Sequence, residues 1–463
     1  MLPVEMYDQV VEKVIAYQKF LKNKVGQIPE VKSLEDFNKL PLIDKSSYIM
    51  DNKLEELCFD NDTSEAHLWL RSSGTSHKPF FWPRRYVDEK NMFIGIEKLF
   101  NRYVTEENQP TLIIVGLALG PWGTGMQTSF IFRSLAQRVK GLAVVSPGLQ
   151  NENIIECLEK LSPMFKRTLL LSYPPFAKNV LEEAAKRGID LPTLNIEVMV
   201  GGEGISELFR DNVRNLLGHS KDNLYSVWSL YGSTDFGNVG FENPMTILIR
   251  RLISENNLWE KIFGISDVPM LFQTVPRKVY FEDVKGELVV SCIQGIPLIR
   301  YRSGDHVKFI TKNEILEKLK DFGFDAKEEL RKTGLKFQEW ETPLIALYGR
   351  IDQVVFFYGA KITLEQFKKA LEAETMLSYF NGKFLVKATE DSENNPLIEL
   401  YLEDNVNFKK HKLEEIEEIY SVELAKVQSE FRTIRDLFPN KKNLKIIPSK
   451  SEVFELGWKT RHM

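Results

Sequence analysis

Cysteine is scarce in this chain. Cys58, Cys157 and Cys292 are the three it has in 463 residues, too few and too scattered for a disulfide framework. They form no CxxC pair and no Cys/His cluster with metal-ligand spacing. Histidine is also sparse, at six residues, and none gives an evident pairing with a serine or cysteine nucleophile. A basic field is missing: 61 Lys and Arg against 65 Asp and Glu leave a formal net charge of −4, which argues against binding nucleic acid through bulk charge. The longest apolar run, TLIIVGLALG, is too short to span a bilayer. The start, MLPVEMYDQVVEKV, is acidic in its first turns and lacks the basic and apolar regions of a secretion signal. The GxxxxGK[ST] phosphate loop occurs nowhere. These absences predict a cytoplasmic protein that engages neither membrane nor nucleic acid.

What is present suits a globular chain of two or three folding units, with 43% hydrophobic and 27% charged residues. Val10, Val11, Val14, Ile15, Phe20 and Leu21 predict one amphipathic helix up to the break at Asn23–Gly26. LPLIDKSSYIMDN follows, with a helix cap at Asp44 or Ser46. From about residue 66 to 300, buried strand-like runs (PTLIIVGLAL, GLAVVSP, RTLLLSYP, NIEVMVGGE, YSVWSLYG) alternate with helical ones (NIIECLEKL, FAKNVLEEAAKRG, ISELFRDNVRNLLG). That alternation predicts an α/β unit with a largely parallel sheet. Residues 279–302 read as strands with a hairpin turn at Lys285-Gly286, and 312–340 as charged helix. After Gly349 the composition shifts to charged helices and two strands, FNGKFLVKATE and NPLIELYLED, a small α+β domain. The boundary falls near Ile351-Asp352.

Five short stretches carry polar groups between these elements. Ser72-Ser73-Gly74-Thr75-Ser76, followed by Lys78-Pro79, lies between the strand-like HLWL and FFWP. Hydroxyls and glycine-exposed amides can cradle phosphate oxygens, although a plain Ser/Thr turn has the same composition. Gly201-Gly202-Glu203 ends a strand and opens a helix, the crevice where open α/β sheets place ligands; a tight turn capped by Ser206 is the alternative. Tyr231-Gly232-Ser233-Thr234-Asp235 offers an aromatic ring, two hydroxyls and a carboxylate suited to Mg²⁺, or a glycine-rich capped loop. Arg300-Tyr301-Arg302-Ser303-Gly304-Asp305 ends in a carboxylate able to take both hydroxyls of a ribose. Gly349-Arg350-Ile351-Asp352, then Gly359-Ala360-Lys361, stands at the compositional boundary, where a hinge belongs.

Taken in order, SSGTS, GGE, YGSTD, RYRSGD and GRIDQ…GAK resemble the motif series of the adenylate-forming acyl-ligase superfamily. LPLIDKSSY, GELVVS…PLIRYRSGD and GRIDQVVFFYGAKI are most similar to its phenylacetate–CoA ligase branch. The resemblance covers nearly the whole chain. It implies a large N-terminal domain of stacked mixed sheets with flanking helices, residues 1–350, and a small α+β C-terminal domain, 351–463, that rotates about a hinge. It implies ATP-dependent activation of a carboxylic acid (aryl or another organic acid) through acyl-AMP with pyrophosphate release, then thioester formation with CoA. Transfer to a cofactor, amine or protein, or a degenerate nucleotide-binding relative, are its alternatives, and a homodimer is compatible with it.

By the same resemblance, Ser72, Ser73, Gly74, Thr75, Ser76 and Lys78 would hold the β- and γ-phosphates. Gly201, Gly202 and Glu203 would border the adenine, with Tyr231 against its ring and Gly232 and Ser233 beside it. Thr234 would contact the α-phosphate, Asp235 a Mg²⁺ ion, Asp305 the ribose, with Arg350 close by. Asp352 would be the hinge, and Gly359 and Lys361 would border the thiol tunnel. Trp122, in LGPWGTGM, is assigned to the acyl pocket, although aromatic residues are more often core. The set is coherent, because charge developing on phosphate oxygens calls for donors and a metal more than a nucleophilic side chain. Three departures stand out: Asp235 where the family has Glu, the tail FELGWKTRHM, in which Lys459 is the candidate adenylation lysine, and the charged segment 312–340 before the hinge.

Overall fold

The computed structural model describes residues 3–71, 80–90, 109–120, 123–202, 204–265, 268–275, 279–335, 341–350, 354–357, 360–390, 396–437, 444–454 and 461–462. The first amphipathic stretch is two helices, Pro3–Lys13 and Ile15–Val25, where the periodicity predicts one. Val14 stands between them with extended backbone (φ −113°). Its neighbour carbonyls are not orphaned by the break, because the Gln18 amide donates to the Val11 oxygen at 2.9 Å. Asp44 caps the next short helix, Lys45–Ile49, by accepting from the Ser47 amide at 2.7 Å.

The strands are β1 (Ala66–Arg71), β2 (Phe81–Arg85), β3 (Thr111–Gly116), β4 (Leu142–Val145), β5 (Arg167–Ser172), β6 (Ile196–Gly201), β7 (Val227–Ser233), β8 (Gly237–Phe241), β9 (Met270–Thr274), β10 (Val279–Val284), β11 (Glu287–Cys292), β12 (Leu298–Ile310), β13 (Leu344–Arg350), β14 (Val354–Phe357), β15 (Ala360–Thr363), β16 (Phe384–Glu390), β17 (Pro396–Glu403), β18 (Leu444–Ser449) and β19 (Arg461–His462). Among the described residues, eleven of them form one mixed sheet in the order β10-β11-β12-β13-β9-β8-β7-β6-β5-β3-β4. The β4-β3-β5-β6-β7 part is parallel, as the strand–helix alternation requires. From β7 onward the pairs are antiparallel. The thirteen-residue β12 joins the β10–β11 pair to the rest of the sheet, pairing with β11 over its first part and with β13 over its last.

Side chains of the parallel strands alternate between two cores, which is why these strands read as unbroken apolar runs. Leu112, Ile114, Leu170, Val198 and Val200 face one core, shared with the N-terminal helices and with helices Asn151–Lys160, Pro174–Lys186 and Glu207–Leu216. Ile113, Val115, Leu169, Leu171 and Met199 face the other, covered by helices Gly123–Ala136 and Pro244–Glu255. The charged segment after β12 belongs to this second core. Helices Lys312–Asp321 and Ala326–Lys332 bury Ile315, Leu316, Leu319, Ala326 and Leu330 there and turn their charges outward. A third core, from Val355 to Ile446, is built on a four-stranded sheet, β18-β17-β16-β19, and on helices Leu364–Leu371 and Leu413–Val427. No described helix is long and apolar enough to cross a membrane.

Candidate functional site

Four of the five polar stretches have described residues, and the sheet brings two of them into direct contact. β7 runs into Ser233, turns through Thr234, Asp235 and Phe236, and returns as β8. The turn is tight at Gly232, where an added Cβ would lie 2.6 Å from the Asn238 Cα. The Ser233 hydroxyl accepts from the Asp235 amide at 3.1 Å and fixes the turn locally. Across from it, β12 carries Tyr301-Arg302-Ser303-Gly304-Asp305. Gly304 takes φ +77°, and the register with β13 shifts between Asp305 and Val307, a bulge that re-aims the strand at Asp305. Glu287 supports the bulge from β11, accepting from the Gly304 amide (3.2 Å) and the Arg302 Nε (2.8 Å).

The two stretches share a spacing, Tyr-x-x-x-Asp, and they bond reciprocally. The Tyr231 hydroxyl donates to Asp305 Oδ2 at 2.6 Å, and the Tyr301 hydroxyl donates to Asp235 Oδ2 at 2.6 Å. Asp305 is buried, and Asp235 is half-buried. Tyr231 is itself buried, its ring stacked on Phe272 with centroids 5.5 Å apart. Arg350 is the register partner of Asp305 on β13. This crossed pair sits at the end of β7, where the parallel part of the sheet gives way to the antiparallel region.

Strand β6 delivers Gly201 and Gly202 to the same edge, beside Leu230 of β7. Gly202 has φ +92°, a conformation that favours glycine. Ser206 caps the following helix by accepting from the Phe209 amide at 3.0 Å. Buried ions hold this loop from below. Arg250 donates to the Ile205 carbonyl at 2.7 Å and also pairs with Glu207, while Arg210 bridges Glu207 and Glu242. Burial pushes the Glu242 carboxyl above the ordinary glutamate range; burial acts on Glu207 too, but Arg210 and Arg250 hold it below that range. From above, the loop meets the third core: Lys368 Nζ donates to the Gly204 carbonyl at 2.7 Å, and the Ser206 hydroxyl donates to Glu372 Oε2 at 2.5 Å.

The remaining predicted residues are placed less fully. β1 and β2 form an antiparallel ribbon with Arg71 opposite Phe81, and the chain from 72 to 80 is the connection between them. Ser72, Ser73, Gly74, Thr75, Ser76 and Lys78, within that connection, lie outside the described residues, as do Trp122, Glu203, Asp352, Gly359 and Lys459. Lys361 pairs with Phe356 in the β14–β15 hairpin. Reading by motif misses Arg84, Glu287, Lys368 and Glu372, which stand outside the five stretches, and misses Tyr301 as a partner of Asp235. The repeated Tyr-x-x-x-Asp spacing marks these residues in the sequence, and only the placement of β7 and β12 pairs them.

No protein-family model matches the sequence, and no curated protein matches it in sequence. Solved structures do match. 2-Hydroxyisobutyryl-CoA ligase in the postadenylation state, in complex with R3-HIB-AMP, is similar at TM-score 0.65 and 14% identity, covering 100% of this chain and 87% of that one. GH3.15 acyl acid amido synthetase is similar at TM-score 0.57 and 15% identity, covering 97% and 87%. An open conformation of the same CoA ligase, in complex with 2-HIB-AMP and CoA, is similar at TM-score 0.53 and 14% identity, covering 96% and 86%. The chain has the fold of the adenylate-forming acid ligases.

Proposed function

We propose that this chain activates a carboxylic acid with ATP, forming acyl-AMP and pyrophosphate, and then passes the acyl group to the thiol of CoA. The observation that carries the reading is the crossed Tyr–Asp pair, which sets two of the expected nucleotide motifs against each other at the end of the parallel strands. In this reading Asp305 receives the ribose hydroxyls, Arg350 lies alongside, and Thr234 donates to the α-phosphate. Tyr231 keeps Asp305 oriented from behind, and its ring lines the adenine pocket with Gly201, Gly202, Glu203, Gly232 and Ser233. Ser72 to Ser76 and Lys78 are assigned to the departing phosphates, Lys459 to the carboxylate and α-phosphate, and Trp122 to the acid. Residues 351–463 act as a separate body hinged at Asp352, with Gly359 and Lys361 bordering the thiol path. The cysteine usage assigns the enzyme to the cytoplasm.

Asp235 is the residue that would hold Mg²⁺. Among the described residues no group of three or more His, Cys, Asp or Glu is gathered to hold a resident ion. One carboxylate fits an ion that arrives on the triphosphate and keeps several waters. The ion would neutralise charge on the phosphate oxygens. An aryl or other organic acid is the proposed substrate. Since an amido synthetase shares the fold, an amine is the second acceptor to test.

Titration calorimetry with Mg-ATP and with AMP tests the nucleotide site without knowledge of the acid. One-to-one binding that Asp305→Ala weakens supports the proposal; no heat and no thermal stabilisation with either nucleotide overturns it. Pyrophosphate release across a panel of acids, with CoA or amino acids added, then separates the acceptors.

A further inference from the structure

The turn that presents Thr234 and Asp235 is held by two side chains that approach from different elements. Tyr301, on β12, holds the Asp235 carboxylate through Oδ2. Arg84, on β2, holds the backbone: its guanidinium donates to the Thr234 carbonyl, and to the Pro83 carbonyl at 3.0 Å. Arg84 is 1% exposed. Its Nε has no hydrogen-bond partner among the described residues. Burying a guanidinium with a donor unmatched costs stability, and a packed apolar side chain would fill the same space more cheaply. Burial pushes its pKa below the ordinary arginine value, while Asp88, Cys292 and Asp235 act the other way. An arginine keeps its charge in such a place.

Position supplies the reason for it. β2 follows Ser72–Lys78 in the chain, and Arg84 stands opposite Leu68 in the β1–β2 ribbon. A rigid fork from that ribbon to the Thr234 carbonyl ties the ribbon to the turn after β7. We propose that Arg84 is a positioning residue: together with Tyr301 it brackets the Ser233–Phe236 turn, so that the Thr234 hydroxyl and the Asp235 carboxylate are aimed at the phosphate side of the nucleotide. This rests on the proposed nucleotide site and adds Arg84, which none of the five stretches contains, together with a positioning role for Tyr301. Arg84 itself touches no reacting atom. It acts through the Thr234 carbonyl, and its buried positive charge adds a favourable field beneath an anion.

The experiment compares wild type, Arg84→Met, Arg84→Lys and Tyr301→Phe, each first checked for cooperative thermal unfolding. Calorimetry with Mg-ATP and with adenosine separates aim from folding, because adenosine has no phosphate. Mg-ATP affinity is expected to fall ~10-fold or more in Arg84→Met and Tyr301→Phe, with adenosine affinity unchanged and Arg84→Lys intermediate. Acid-dependent pyrophosphate exchange, where the acid is found, is expected to lose ~100-fold in kcat, as for a group displaced by about 1 Å. Equal losses for adenosine and Mg-ATP, or wild-type affinity for both in a folded Arg84→Met, overturn the proposal. Hydrogen exchange at residues 233–236 covers the case in which wild type binds no nucleotide. The nucleotide reading then fails by itself, and the bracket stands if both variants speed exchange there and falls if neither does.

Discussion

At the residue scale, the site depends on contacts a fraction of an ångström deep. Gly232 has ordinary backbone angles, so space alone demands glycine: a Cβ would come within 2.6 Å of the Asn238 Cα and 2.8 Å of the Gly237 oxygen. Gly232→Ala is expected to cost about 1–3 kcal/mol, as overpacking does, and thermal melting followed by circular dichroism will show it. An unchanged midpoint would mean that β7 and β8 do not approach this closely. Tyr231→Phe removes one donor from a buried carboxylate, a loss of about 1–3 kcal/mol. The same variant is expected to weaken AMP binding by roughly tenfold, read by calorimetry; undiminished affinity would separate Tyr231 from the ribose carboxylate. The residues of this pair were legible from spacing. Their partnership was not, because hydrogen bonds between positions 231 and 305 exist only once β7 and β12 are placed across one site.

At the scale of elements, local chemistry predicts well. β3, β5 and β6 fall within the apolar runs that read as strands, β7 passes the end of its run by one residue, and the Lys285-Gly286 hairpin forms with both residues at positive φ. The N-terminal helix was read too long, since the apolar spacing continues through Val14 and only the backbone there changes direction. The loop after helix Glu207–Leu216 contains a titratable device. Ser226 gives its proton to the Asn223 carbonyl at 2.7 Å, so it accepts from His219 Nδ1 at 2.8 Å. Burial holds the His219 pKa below 6.5, with Glu197 opposing and Arg214 assisting. A base with a depressed folded pKa contributes fully above its unfolded pKa and loses that contribution as pH falls through the folded value. Melting temperature is therefore expected to fall as the pH drops below 6.5, and His219→Gln is expected to flatten that slope. Parallel slopes for the two proteins in melts at several pH values would show that His219 titrates alike in the folded and unfolded chain.

At the scale of the molecule, the loop 204–206 is the meeting point of a buried ion network and the third core. Lys368 and Glu372 are both buried, and they reach Gly204 and Ser206 across the cleft. Asn179 adds a bond to the Asn381 carbonyl at 2.8 Å. A hydrogen bond from a charged group contributes about 1.5–3 kcal/mol. Lys368→Met is accordingly expected to speed hydrogen exchange over residues 204–209 by roughly tenfold or more, with the third core unaffected. Protection equal to wild type would show that this docking is not populated in solution. No sequence pattern announces these contacts, because Lys368 and Glu372 lie on a charged amphipathic stretch of the kind usually left in solvent.

The sequence by itself determined the apolar runs of the parallel sheet, the helices between them, and the polar stretches at their ends, since these follow from periodicity and turn chemistry along a few neighbouring residues. The charged segment 312–340 shows the limit: its helices were legible, but whether they covered the site, met a partner or lay solvated was not. Tertiary structure decided that they bury an apolar stripe on the sheet, that two Tyr-x-x-x-Asp stretches cross, and that Arg84 sits beneath Thr234. Each of these joins groups far apart in the chain, where burial and bond geometry depend on how the elements pack and no local rule applies.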